Sequence, residues 1–218
     1  MHIDKSKLAA DVFDKRATEY QNKYMDTSLY HDSFNLFCDF ITKENPEILE
    51  LACGPGNISQ YLLQRRPDFQ LYGTDLAPNM VELARANNPG ATFEVMDCRD
   101  LVYLKRKFDG LMCGFCLPYL SKDEATELIY DAGMSLRTDG ILYISTMEGD
   151  YKKKSAYQTS SYGDEVFVHY HQSSYLKQAL RENSFKLIHM QRQNFPMPKG
   201  PKTTDLVLIA RKKEDFYS

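Results

Sequence analysis

Five short apolar runs, Ile48 to Ala52, Gln70 to Gly73, Thr92 to Met96, Gly110 to Cys113 and Ile141 to Ser145, are separated by amphipathic stretches of helical period. Strands that lack strict polar alternation are buried on both faces, and intervening helices are the crossovers that parallel strands need. The alternation therefore predicts an α/β domain built on a doubly wound, Rossmann-like sheet. Ahead of it, from Asp4 to about Ile41, apolar residues fall at helical spacing. Leu8, Val12 and Phe13 share one face, and Leu29, Phe34, Leu36, Phe37 and Phe40 follow in a second segment. This part reads as an N-terminal helical cap over residues 1–45, followed by a ligand-binding core over residues 46–147.

The pattern changes after Met147. Glu148 to Gly163 is polar, carries Lys152, Lys153 and Lys154, and reads as a loop or insert. A strand is expected over Glu165 to Tyr170, a helix over Ser173 to Glu182, and closing strands over Phe185 to Arg192 and Thr204 to Ala210. The short, Pro-rich link from Phe195 to Pro201 suits an antiparallel hairpin at a sheet edge. The expected architecture is a single domain, residues 1–218, with an insert at 148–170 and the rest of the sheet at 171–218. Hydrophobic residues at 43% are enough to build its core without disulfides or metal.

Charge and targeting narrow the partners. A net charge of -3 gives no electrostatic footprint for duplex nucleic acid or an anionic membrane, so nucleic acid is disfavoured. The first twenty residues hold Asp4, Lys5, Lys7, Asp11, Asp14, Lys15, Arg16 and Glu19, which leaves no apolar signal segment, and a cytoplasmic location is expected. The longest apolar stretch, Leu111 to Leu120, is ten residues, about half of the roughly 20 that a bilayer crossing needs. Five cysteines without an export signal fit reduced thiols. The oligomeric expectation is a monomer or weak homodimer.

The segment Ile48-Leu49-Glu50-Leu51-Ala52-Cys53-Gly54-Pro55-Gly56-Asn57 runs from a strand through a glycine turn into a helix starting near Asn57 or Ile58. Ligands of doubly wound sheets bind at this edge, and Gly54 and Gly56 let the backbone approach one closely. A dinucleotide site wants a third glycine and free N–H groups for a pyrophosphate. Here Ser59 stands at the third position, Pro55 lacks an N–H, and Glu50 places a carboxylate nearby. These features count against NAD and fit a cofactor without phosphate that carries positive charge.

On these residues the sequence resembles the class I S-adenosylmethionine-dependent methyltransferase family, from about Phe13 to Lys212. Glu50, Gly54 and Gly56 match its first motif, with Cys53 and Asn57 in the same turn. The resemblance implies that this turn packs on the methionine part of the cofactor. Asp75 matches the acid that accepts from the two ribose hydroxyls, with Leu76 and Met80 against the adenine. Asp97 would stand beside the adenine amino group, with the N–H of Cys98 on a ring nitrogen. The strand and loop Phe108 to Leu120, including Cys113 and Phe115, would border the methyl group and the acceptor. Tyr20, in a segment like the family's cap helix, would lie over the cofactor. The resemblance also implies a seven-stranded sheet with an antiparallel last strand, S-adenosylmethionine as methyl donor, and S-adenosylhomocysteine as product.

The acceptor is less legible. Cys113-Gly114-Phe115-Cys116 has zinc or redox spacing but no second pair, so buried thiols and no metal are expected. The resemblance implies Asn-Pro-Pro-Tyr in this loop for members that methylate bases, and Cys116-Leu117-Pro118-Tyr119 keeps only its last two residues, which disfavours base methylation; the aromatic candidates and compact size suggest a small-molecule acceptor. Tyr119, Tyr151, Tyr157, His169 and His171 are the candidate acceptor contacts, with surface exposure the competing reading for the histidines. No catalytic residue is assigned, because an activated methyl needs alignment and desolvation more than a dedicated base. Two other functions remain open at this point: cofactor binding without catalysis, and an NAD-dependent oxidoreductase.

Overall fold

The computed structural model describes residues 3–159, 163–195 and 203–214. Its helices and strands follow the expected alternation. The cap is α1 (Lys5–Lys15), α2 (Ala17–Tyr24) and α3 (His31–Phe40). The core continues through β1 (Glu47–Leu51), α4 (Asn57–Arg65), β2 (Gln70–Asp75), α5 (Pro78–Asn87), β3 (Thr92–Val95), β4 (Phe108–Cys113), α6 (Lys122–Ser135) and β5 (Leu136–Glu148). After it come α7 (Tyr151–Lys154), β6 (Ala156–Thr159), β7 (Glu165–Val168), α8 (Ser173–Glu182), β8 (Phe185–Phe195) and β9 (Thr203–Lys212).

The main sheet has seven strands in the order β3-β2-β1-β4-β5-β9-β8. The first five are parallel, and β9 runs antiparallel to both β5 and β8. This is the doubly wound sheet with a reversed last strand that the sequence implied. The order turns back at β1 and β4, and that switch point opens a crevice at the carboxyl ends of the parallel strands. The Pro-rich link lies at residues 196–202, outside the described residues. The expected insert holds a second, two-stranded sheet in which β6 and β7 pair antiparallel.

Strand parity divides the core. Leu49 and Leu51 of β1, Leu111 of β4, and Leu142 and Ile144 of β5 face α6 and α8, where they meet Leu128, Ile129, Leu176 and Leu180. Ile48, Met112 and Tyr143 face the other way, onto Phe34, Phe37, Leu62 and Val81 of α3, α4 and α5. The cap differs from expectation in its first helix. Leu8 is 48% exposed while Ala9 is buried and Phe13 packs on Tyr119, so α1 turns Leu8 outward and lays Ala9 and Phe13 on the molecule. Small side chains let the helix axis approach closely, which matters because α1 roofs the crevice. Among the described residues no helix is long and apolar enough to cross a membrane.

Candidate functional site

The crevice contains a cleft of about 120 Å³ at the ends of β1, β2 and β4, roofed by α1 and α2. Its floor is the turn after β1. Three backbone positions there are left-handed: Ala52 (φ 52°), Gly54 (φ 52°) and Gly56 (φ 76°). The two glycines serve different ends. A Cβ on Gly54 would meet nothing nearer than Cε1 of Tyr20 at 3.9 Å, so this position opens onto the cleft. A Cβ on Gly56 would lie 2.3 Å from Nδ2 of Asn88 and 3.1 Å from Cα of Ala84, so Gly56 is a packing glycine that lets α4 and α5 approach.

Asp75, at the end of β2, lines the cleft and ties it together. Its Oδ2 accepts the N–H of Gly54 at 2.8 Å and its Oδ1 accepts that of Ala77 at 2.9 Å. Burial pushes its carboxyl above the usual range, and those two N–H groups oppose the shift. Leu76 and Met80 line the wall beyond it, with Met96, Asp97 and Cys98 next to them. Asp97 caps the 3-10 segment Cys98–Leu104 by accepting the N–H of Arg99 at 2.9 Å. The Arg99 guanidinium folds back onto the Asp97 carboxylate at 2.6 Å, and it also reaches Asp4 at 2.9 Å and Glu124 at 2.9 Å. One cation thus joins α1, the cleft wall and α6.

The opposite wall is aromatic. Phe13 packs edge-on against Tyr20 at 5.6 Å and Tyr119 at 4.9 Å between ring centroids. Phe115 lies in the loop after β4 with a left-handed backbone (φ 57°), and its N–H is held by Oγ of Ser145 at 2.9 Å. Tyr30 packs on Phe115 at 5.1 Å and donates its hydroxyl to the buried Asp205 at 2.6 Å. Burial raises the hydroxyls of Tyr20 and Tyr119, so both rings are neutral. The charged side chains that line the cleft are two acids, Asp75 and Asp97.

Of the expected cofactor contacts, Tyr20, Gly54, Asp75, Leu76, Met80, Asp97, Cys98 and Phe115 meet at this cleft. Five others do not line it. Glu50 points into the core beneath the turn, where it is 1% exposed and accepts the hydroxyl of Ser59. Cys53 packs under the turn with its thiol toward the carbonyl of Gly54 at 3.6 Å. Gly56 faces α5, as above. Asn57 turns away to donate to the carbonyl of Tyr24 at 2.7 Å, anchoring α2. Cys113 is fully buried between β4 and its neighbours, because its parity sends it into the α6 side of the sheet.

Among the acceptor candidates, Tyr119 lines the cleft and the others do not. The surface reading of the histidines is corrected too: His169 and His171 are 5% and 0% exposed. His169 stacks on Tyr151 (5.4 Å, 13°), and its backbone N–H donates to the carbonyl of Pro118 at 2.7 Å. His171 donates from Nε2 to the carbonyl of Leu117 at 2.8 Å and accepts the Tyr175 hydroxyl at Nδ1. That bonding suits the neutral ring, and burial pushes the His171 pKa down to about 4. The backbone of His169 and the ring of His171 thus fasten this segment to the loop Leu117–Tyr119 from behind. Tyr157 stays on the surface, 52% exposed, against Phe167. Ala52 falls in the expected turn, and Gly114, Cys116 and Leu120 in the expected Phe108–Leu120 segment, whereas Ser6, Ala9 and Ala10 of α1 were not singled out from the sequence. The alanines carry no polar group to signal a site, and the place of all three follows from the docking of α1, where the Ser6 hydroxyl donates to the carbonyl of Tyr119 at 2.7 Å.

Residues 48–140 match the methyltransferase-domain family. The seven-stranded order and the glycine turn followed by Asp75 agree with that match. Over residues 48–140 the chain matches the class I S-adenosylmethionine-dependent methyltransferase family. A malonyl-[acyl-carrier protein] O-methyltransferase from Acetivibrio thermocellus is 26% identical over 148 residues, 67% of this chain and 48% of that protein. The chain spans half the length or less of the first curated relatives it matches. In structure, the family member from Synechocystis that acts as magnesium protoporphyrin IX methyltransferase, with bound S-adenosylmethionine, superimposes with a TM-score of 0.73 at 15% identity. It covers 97% of this chain and 99% of its own. A 1,6-didemethyltoxoflavin-N1-methyltransferase from Burkholderia thailandensis, with that acceptor and S-adenosylhomocysteine bound, gives 0.72 at 19% identity, covering 98% and 92%. At such identities the likeness of these structures shows the fold.

Proposed function

We propose that this chain transfers a methyl group from S-adenosylmethionine to a small-molecule acceptor and releases S-adenosylhomocysteine. The charge of the cleft is the observation that carries the reading. Its charged lining residues are Asp75 and Asp97, the second paired with Arg99 behind the wall, with no lysine or arginine among the described lining side chains. A pyrophosphate would meet like charge there, whereas a ligand with a sulfonium and an ammonium group would meet opposite charge in a partly desolvated site. Gly54 adds to the fit, since its missing Cβ leaves room against the turn.

In this reading the lone pairs of Asp75 left over from Gly54 and Ala77 accept the ribose hydroxyls. Leu76 and Met80 hold the adenine, and Asp97 and Cys98 border its edge. Tyr20, Phe13, Phe115 and Tyr119 wall off the methionine end and exclude water from it. When bound, the cofactor supplies a methyl group on positively charged sulfur, already activated toward an attacking atom. The chain then has to align the two partners, and no side chain is assigned as acid or base. The aromatic wall suits an apolar or aromatic acceptor, and the negative lining disfavours an anionic one. The proposal takes the chain as one methyltransferase domain that acts in the cytoplasm as a monomer or weak homodimer, without a nucleic-acid partner or a bound metal.

Calorimetric titration with S-adenosylmethionine, S-adenosylhomocysteine and NAD in parallel tests it. Binding of the first two and not of NAD is the expected result. Binding of NAD alone overturns the proposal. Cofactor binding with no turnover across a broad acceptor panel would reassign the chain as a binding protein of the same cleft.

A further inference from the structure

Two thiols from separate parts of the chain meet in the cleft. Cys98 opens the 3-10 segment after β3, and Cys116 lies in the loop after β4. Their Sγ atoms are 3.3 Å apart, with the Cys116 S–H directed at Cys98. Both line the cleft. Cys38, Cys53 and Cys113 are buried in the core, while Cys98 is partly exposed. A disulfide bond is about 2.05 Å long, so the two sulfurs stand roughly 1.3 Å short of bonding distance.

We infer that Cys98 and Cys116 form a modification site: a dithiol that a peroxide or a small disulfide converts to an intramolecular disulfide across the cleft, and that a bound ligand shields. With a peroxide, the thiol of Cys98 is oxidised to a sulfenic acid as the O–O bond breaks and one water leaves. The sulfur of Cys116 then attacks the Cys98 sulfur, forming the S–S bond, and the hydroxyl and the Cys116 proton leave as a second water. Two electrons pass from the thiols to the oxidant. Cys98 reacts first because it is the more exposed. The contact with Cys116 and burial raise the Cys98 thiol, and a contact with Cys113 together with burial raises that of Cys116 against the lowering effect of Cys98, so oxidation speeds up with pH and wherever the cleft is open. Closing the bond draws the loop after β4 toward the wall that carries Asp97, and it removes room from the same cleft. The effect on cofactor binding rests on the function proposed above, whereas the chemistry of the thiols does not.

The test treats the full chain with hydrogen peroxide or diamide and follows intact mass, peptide mapping and calorimetry. A loss of two hydrogens, a Cys98–Cys116 linked peptide and reversal by dithiothreitol are expected. Cys98→Ser and Cys116→Ser should each abolish the link, and Cys113→Ser should keep it. Oxidised protein should bind S-adenosylhomocysteine at least tenfold more weakly, and that ligand should slow oxidation of the reduced protein. A folded protein whose thiols all stay reduced under these oxidants overturns the inference, and so does a link made through Cys113. Formation of the Cys98–Cys116 link in protein that binds no S-adenosylhomocysteine when reduced would leave the dithiol standing and remove the proposed function.

Discussion

Oδ2 of Asp75 accepts the backbone N–H of Gly54 at 2.8 Å, so the acid that ends β2 also fixes the turn that ends β1. The cleft floor and its recognition group are therefore one unit. Asp75→Ala removes the two backbone bonds and the proposed bonds to ribose together. A hydrogen bond to a charged group is worth about 1.5–3 kcal/mol, which corresponds to about 10- to 150-fold in affinity. We expect Asp75→Ala to weaken S-adenosylhomocysteine binding by that factor and to lower the melting temperature. Asp75→Asn, which keeps one acceptor oxygen, should fall between. Wild-type affinity in Asp75→Ala would remove Asp75 from the binding site.

The two glycines of the turn should separate in behaviour. Gly54→Ala adds a methyl in open space, so its structural cost is the left-handed backbone, about 1–2 kcal/mol. Gly56→Ala carries that cost and also drives a Cβ into Asn88 and Ala84. Overpacking of this kind costs about 1–3 kcal/mol more. Urea unfolding should rank Gly56→Ala below Gly54→Ala in stability, while ligand titration should show Gly54→Ala folded but weak in binding. Equal stability of the two variants would mean that the helices α4 and α5 do not need the glycine.

Strand placement was legible because burial on both faces leaves unbroken apolar runs, and β1, β2 and β4 fall where those runs do. The cleft residues legible in advance are those whose chemistry or backbone freedom is distinctive, such as Gly54 and Asp75. Parity within the turn was not legible. Glu50 sits in the expected motif, yet its side chain enters the core and bonds to Ser59, one helical turn along a neighbour that sequence distance does not reveal. The pairing of Cys98 with Cys116 is hidden for the same reason, since it depends on how the ends of β3 and β4 are brought together across the sheet. The histidines were misjudged because two-residue alternation assumes one solvated face, and the insert packs that face on the loop Leu117–Tyr119.

Glu50 makes stability depend on pH in a defined window. Burial pushes its pKa up from 4.5 to about 8, so the folded chain holds this proton where the unfolded chain has released it. The proton's stabilising contribution is complete below pH 4.5 and is lost as pH rises through about 8. Glu50→Gln is uncharged at every pH and can keep the bond to Ser59. The variant should therefore gain melting temperature relative to wild type between pH 6 and pH 9, as an order-of-magnitude window, and show no gain near pH 4. A difference that does not change with pH would place the carboxyl in contact with solvent or with an unrecognised cation.

Arg99 holds the roof of the cleft. Its guanidinium keeps the Asp4 carboxyl below its usual range, and Asp4 is also the N-cap of α1, accepting the N–H of Lys7 at 3.0 Å. A lowered carboxyl contributes stability above pH 3.8 and loses it as pH falls through its folded value, so acid should loosen this end of α1. Replacing Arg99 with Met keeps the apolar stem but leaves Asp4, Asp97 and Glu124 without their shared cation. Because all three pairs are partly exposed, the global stability change should be small. The local change should be larger, since α1 buries Ala9 as its one fully enclosed residue and is otherwise held by Phe13 and by polar contacts such as Ser6 to Tyr119 and Asp14 to Asn79. Limited proteolysis should then cut Arg99→Met before residue 25 several-fold faster than wild type, and S-adenosylhomocysteine should suppress the difference by packing beneath α1. Salt should speed cleavage of the wild type toward the rate of the variant, since screening weakens the same pairs. Equal cleavage rates in the two proteins would show that Phe13 and the aromatic wall, and not the charges, secure the roof.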